Sequence, residues 1–116
     1  MKRVDIYVPY NNVSEVTMVL HKHDIGGITL SDVRGRGKIP HTAIPEVVSG
    51  EWHMTGKRIV PEYVQRSFIS AIMQESQIKH LIDDLRKINV ERGKVFISDV
   101  TEAYDLSSGE EGEKAL

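Results

Sequence analysis

The chain has 116 residues, a formal net charge of −2, no cysteine and a single tryptophan. That length favours one domain that can bury a core without staples. The lack of cysteine excludes disulfides, thiolate metal sites and cysteine nucleophiles and fits a reducing compartment, and the near-balanced charge gives no reason to expect nucleic acid as a partner.

The start has no secretory h-region and no apolar run approaches a membrane span, so a cytoplasmic protein that is not membrane-inserted is expected. Residues 3–8 alternate, with Val4, Ile6 and Val8 on one face of a half-buried strand that Pro9 stops. Asn11 and Asn12 then offer helix N-caps, and Glu15 stands three residues after Asn12 in a capping-box arrangement. Val13, Val16, Val19, Leu20 and His23 follow helical spacing. The Gly26-Gly27 pair is expected to end that helix, because glycine accepts the left-handed C-cap conformation. Ile28, Leu30 and Val33 make a second strand.

From Gly35 to about Arg66 no apolar period is sustained. This stretch is rich in Gly, Pro, His and charge, with Trp52 at its middle. A structureless insertion of roughly thirty residues in a compact domain is usually functional. It carries Arg34, Arg36, Lys38, Lys57, Arg58 and Arg66 against Glu46, Glu51 and Glu62. Residues 67–73 then read as a buried strand, Ser76 as an N-cap, and Ile78, Leu81, Ile82, Leu85 and Ile88 as a helical stripe. Asp83 and Asp84 fall outside the stripe and read as a solvated face. Gly93 breaks the pattern, and Val95, Ile97 and Val100 alternate as a last strand.

Two βαβ patterns of this kind imply an α+β, ferredoxin-like double βαβ fold. The sheet is four-stranded and antiparallel, with both helices on one face, in a single domain over residues 1–116. The segments 28–33 (ITLSDV) and 95–100 (VFISDV) echo one another across the two halves. The uncovered sheet face would carry Thr29, Ser31, Phe96 and their neighbours, which is a reason to expect oligomerisation.

The motifs that carry chemistry are sparse. Gly35-Arg36-Gly37-Lys38 follows a strand and could approach phosphate, but it lacks the spacing, the Ser or Thr and the helix of a Walker loop. Arg92-Gly93-Lys94 is either a plain helix stop or half of an anion site that a neighbouring subunit completes. The five histidines show no metal-ligand spacing; His41 and His53 share the long loop with Glu51. No nucleophile–base grouping is present, so no catalytic residue is expected. Trp52, between Glu51 and His53, is a candidate contact residue of the loop.

The start MKRVDIYVPYNNVSEV, the segment GGITLSDVRGRGK, the pair His41-Thr42, the strand GKVFISDV and the end SSGEEGEKAL resemble P-II nitrogen-regulatory signalling proteins. The resemblance is strongest over 25–42 and 93–116 and weak over 43–75. It implies a non-enzymatic homotrimer with adenine nucleotide in the clefts between subunits. A T-loop (about 36–65) would bind an ammonium transporter or a metabolic enzyme, with Ser49, Glu51, Trp52 and His53 as its contact residues. A C-terminal loop (about 101–116) would lie over the cleft. Thr29, Gly35, Arg36, Gly37, Lys38, Arg92, Gly93 and Lys94 are the positions implied for the nucleotide, which would be ATP, ADP or AMP.

The departures from the family carry physical weight. Lys38 stands for an arginine and keeps the charge. Ile39 stands for a glutamine tied to 2-oxoglutarate and nucleotide contacts, which argues against 2-oxoglutarate. Asp105 and Ser107 stand where two phosphate-binding arginines are usual, and each such charge-assisted contact contributes about 1.5–3 kcal/mol. The loop lacks the modifiable tyrosine; Trp52 lies near its place and Tyr63 at the loop base, which argues against uridylylation. The alternative is therefore a binding module of the same fold that has lost ATP and senses another metabolite, an anion or a metal through His41, His53 or Glu51.

Overall fold

Alternation along the strands decides what the sheet buries. Strand β1 (Lys2–Val8) sinks Val4, Ile6 and Val8 while the residues between them stay at least partly exposed. Helix α1 (Val13–Lys22) follows a single 3₁₀ turn at Tyr10–Asn12. Strand β2 (Ile28–Gly35) comes next, then two short strands, β3 (Glu46–Val48) and β4 (Glu51–His53). Strand β5 (Val64–Met73) leads into helix α2 (Glu75–Lys87), and strand β6 (Lys94–Asp99) precedes a terminal 3₁₀ turn at Gly112–Ala115. The computed structural model describes residues 1–36, 46–48, 51–53 and 63–116.

The main sheet has the order β2-β5-β1-β6 and is antiparallel, so the fold is the expected α+β ferredoxin-like arrangement. The echoing segments 28–33 and 95–100 fall on its two edge strands. By contacts the chain forms two compact units, one of Met1–Val33 with Gln65–Leu116 and one of Arg34–Val64. In the first unit Val4, Ile6, Val8, Ile69, Ala71 and Met73 from the sheet meet Val16, Leu20, Leu81 and Leu85 from the helices. Burying side chains of this size stabilises the fold by about 1.5–3 kcal/mol each.

The second unit corrects the expectation of a structureless insertion. It contains the antiparallel pair β3–β4, with Glu46 opposite His53, Val47 opposite Trp52 and Val48 opposite Glu51. Only Ser49-Gly50 separates these strands, and Ser-Gly between short apolar runs is a hairpin signal.

The helix ends also differ from expectation. Asn12 has helical backbone angles and caps nothing with its side chain; its amide donates to Pro9 O at 3.0 Å, so the 3₁₀ turn replaces the capping box with Glu15. Helix α2 is capped by Gln74, whose amide donates to Gln77 Oε1 at 3.0 Å, and Ser76 lies inside the first turn. At the exit of α1, Asp24 takes the left-handed conformation at φ 57°, not Gly26 or Gly27. Ile25 N donates to Leu20 O and Asp24 N to His21 O, both at 3.0 Å, which is a Schellman ending. It returns Ile25, 4% exposed, to the core beneath the helix.

Candidate functional site

Helix α2 leaves through a turn with unusual backbone. Asn89 and Arg92 both have positive φ, at 56° and 59°. Asparagine tolerates that region because its side chain bonds locally, whereas a long cationic side chain gains nothing from it. Non-glycine residues held there mark sites where surrounding structure overrides local preference, and such sites are enriched in function. The clamp here is Arg66 of β5, whose Nη1 donates to Arg92 O at 3.0 Å. Gly93 follows, and a Cβ on it would come within 3.0 Å of Val90 Cγ1. Glycine is needed there for close packing of the turn, not for a left-handed conformation.

The result is a cationic corner on the first unit, in which Arg66, Arg92 and Lys94 lie on or beside one fixed turn. Lys94 opens β6 opposite Tyr7 of β1. Next to it, on the helix-covered side of the sheet, runs an open groove of ≈ 570 Å³. Ile82, Leu85, Val90, Val95 and Ile97 supply much of its apolar wall, and Arg86 and Lys94 also line it. It exists because α1 and α2 leave the β6 edge incompletely covered: Ile97 remains 44% exposed although it pairs with buried Val4.

The predicted nucleotide residues distribute unevenly. Arg92, Gly93 and Lys94 meet in the turn. Thr29 is exposed near the start of β2, at the opposite edge of the sheet from β6. A single chain therefore does not bring Thr29 to the cationic turn; two strands lie between them. Gly35 ends β2 and Arg36 follows it. Gly37, Lys38, Ile39, His41 and Ser49 lie outside the described residues. Glu51, Trp52 and His53 form β4, with only their backbone pairing described. Among the described residues no group of three or more His, Cys, Asp or Glu side chains converges on a metal-sized site.

Asp105 has a local task. Its carboxylate accepts from Ser107 N at 2.8 Å, Ser108 N at 2.9 Å and Ser107 Oγ at 3.1 Å. Tyr104 bridges Glu111, and Asp105 N donates to Glu110 O at 2.8 Å, closing a tight C-terminal turn. The amides of Ser108 and Ser107 hold the Asp105 carboxyl below the usual carboxylate range. A second carboxylate, read from the sequence as part of a solvated helix face, has a partner on another element. Asp84 is not merely a solvated face residue: Oδ2 lies 2.7 Å from Nε2 of His23, just past the end of α1, and Lys87 Nζ donates to Oδ1 at 3.1 Å. These contacts, the His23 bond foremost, lower its pKa. Positions 23 and 84 are 61 apart, so no local pattern announces the pair.

The uncovered sheet face has its own order. Tyr7 packs between Phe68 and Phe96 at ring distances of 5.0 and 5.9 Å. Beside them Ser70 Oγ donates to Asp5 Oδ1 at 2.7 Å, and Arg3 Nε donates to the same oxygen at 2.9 Å. Phe96 is still 59% exposed. Aromatic side chains with satisfied polar groups at the margin are enriched at protein interfaces.

The described residues thus offer a small ferredoxin-like body, a separate unit inserted after its second strand and a cationic turn. Among the described residues no helix is long and apolar enough to cross a membrane. The family model described as "Nitrogen regulatory protein P-II" matches residues 1–110. Relatives carrying that name align over the whole chain: one from Azospirillum brasilense is 24% identical and one from Synechocystis 27%, each covered over its full length. A "Nitrogen regulatory protein P-II homolog" of Arabidopsis thaliana is 26% identical over 97% of this chain and 56% of its own. The chain belongs to the P-II family of nitrogen regulatory proteins.

Proposed function

We propose that this protein is a cytoplasmic, non-enzymatic signalling subunit that assembles as a homotrimer. It binds an adenine nucleotide or a related small anion between subunits and reports it through the unit of residues 34–64. The observation that carries this reading is the turn at Arg92–Lys94. A non-glycine residue is held at positive φ there by a clamp from another strand, and cations gather where nothing in the core needs them. Thr29 and this turn lie at opposite sheet edges, which supports a ligand site shared between two copies. The Tyr7–Phe68–Phe96 face supports assembly, since an exposed apolar face of this kind is costly on a monomer.

The output would be a protein partner, an ammonium transporter or a metabolic enzyme, engaged through the β3–β4 hairpin with Ser49, Glu51, Trp52 and His53. Ligand contacts at Gly35–Lys38 would bias the loop between conformations, which is how a small anion changes a distant surface. Calorimetry with ATP, ADP and AMP tests this. Binding of at least one, weakened about tenfold or more by Lys94→Ala, is expected from the loss of one charge-assisted contact. No binding of any of the three at millimolar concentration defeats the nucleotide reading.

A second reading has specific support. Asp105 spends its carboxylate inside its own turn, and neither it nor Ser107 offers a cation to a triphosphate. A site that prefers a less charged anion, or a metabolite other than ATP, follows from that chemistry. Binding of AMP or inorganic phosphate without ATP would select it.

A further inference from the structure

The groove beside β6 reaches further than the cationic turn requires. Core side chains line it: Ile6 and Val8 of β1 and Val16 of α1 are each at most 2% exposed. With them stand Ile82 and Leu85 of α2 and Val95 and Ile97 of β6. The polar lining comes from one stretch of chain. Arg86, Asn89 and Lys94 all belong to the end of α2, the turn after it or the first residue of β6. Among the described residues no Asp or Glu lines the groove, so its cations have no anion within it. An apolar body of ≈ 570 Å³ with a few polar groups is the usual make-up and size of a small-molecule site.

The polarity of the lining selects the ligand. A sugar or nucleoside would set its hydroxyls against leucine, isoleucine and valine, where buried polar groups without partners are costly. A plain hydrocarbon would gain nothing from Arg86 and Lys94. A molecule with an apolar body and one anionic head satisfies both parts of the lining.

We infer that this groove binds an amphipathic monocarboxylate, with its chain along Ile82, Leu85, Val95 and Ile97 and its carboxylate on Arg86 and Lys94. Arginine suits a carboxylate because two parallel N–H groups can meet its two oxygens, and the Asn89 amide offers a further donor. The groove belongs to one chain and lies on the helix-covered side of the sheet. It shares Lys94 with the Arg92–Lys94 turn. A carboxylate held by Lys94 therefore draws on a cation of the proposed nucleotide site, and each ligand weakens the other by the same factor. The inference does not rest on nucleotide binding, so the two readings can fail separately.

Calorimetry on the full chain tests this with decanoate, kept below the concentration at which it forms micelles. Decanol serves as the chain without the charge and propionate as the head without the chain. Saturable decanoate binding is expected, tighter than either control by about tenfold or more. Arg86→Gln, at an exposed position, should weaken decanoate by about tenfold and leave decanol unchanged. Ile97→Trp, at a partly exposed position, should fill the groove and abolish binding while the melting temperature is kept. In NMR spectra decanoate should shift the amides of Leu85, Val95 and Ile97. Decanol binding as tightly as decanoate overturns the proposal, as does decanoate binding that Arg86→Gln leaves intact. Groove amides that do not move overturn it too, which is the result if a second copy covers the groove. Decanoate binding without any nucleotide binding leaves this inference standing and defeats only the nucleotide reading; the reverse sinks only this one. Binding of both with no mutual weakening overturns the sharing of Lys94.

Discussion

The two βαβ halves follow one plan but leave their helices in different ways. After α1, a Schellman ending turns on Asp24 and drives Ile25 into the core, and the glycines that follow have open space around them. After α2, Asn89 takes the same left-handed role, but the next residue, Val90, is only partly buried, and the chain makes a second left-handed step at Arg92 before a crowded Gly93. The first exit is organised by burial. The second is organised by a strained backbone, a clamp from Arg66 and a set of cations. The difference separates a turn settled by burial from a turn that keeps its cations exposed, which is where the proposed ligand site lies.

Substitutions at paired positions can break that contrast. The largest effect is expected for Ile25→Ala, which empties a buried site and should cost about 2–5 kcal/mol in denaturant unfolding. Val90→Ala, its counterpart at the second exit, should cost clearly less; equal losses would mean that both exits are burial-driven. Gly93→Ala forces a stiff valine to move and should destabilise by about 1–3 kcal/mol, with Val90→Ala in the same chain recovering part of the loss. Gly27→Ala, where an added Cβ meets nothing, should stay within about 0.5 kcal/mol of the parent.

Smaller effects sharpen the picture. Arg66→Ala removes the bond to Arg92 O and should cost about 0.5–1.5 kcal/mol, while weakening anion binding more than its stability loss explains. Asp84→Asn tests the tie between helices. Its pKa is lowered in the fold, so its stabilising contribution is present above the unfolded-state value, about 3.9, and is lost as pH falls through the lower folded value. The melting-temperature gap between parent and Asp84→Asn should therefore be widest near neutrality and close in acid. A gap that persists at the lowest pH would show that the bond to His23 matters for geometry rather than charge.

Much of the body was legible because its signals are local. Alternation in 3–8 and 67–73 and the stripe from Ile78 to Ile88 state which residues face inward, and burying those faces together leaves few arrangements. The helix ends were read less well. Propensity favoured Gly26 and Ser76, but Asp24 and Gln74 took the roles, since asparagine-like residues tolerate left-handed backbone and a glutamine pair can complete a cap. The β3–β4 pair was not legible in the same way, because Ser49-Gly50 is one turn signal among many in a stretch rich in Gly, Pro and charge.

What the sequence determined by itself was the class of fold and the family, because periodicity and motif order survive at low identity. Tertiary structure alone decided which polar residues work together. His23 meets Asp84 and Arg66 reaches Arg92 only because sheet order and helix packing bring distant positions to bonding distance. It also decided that Leu106 is exposed on an ordered turn and that a largely apolar groove stays open beside β6. The physical reason is range: a hydrophobic period is written in neighbouring residues, whereas a site is a geometry between residues whose separation in sequence carries no information about it.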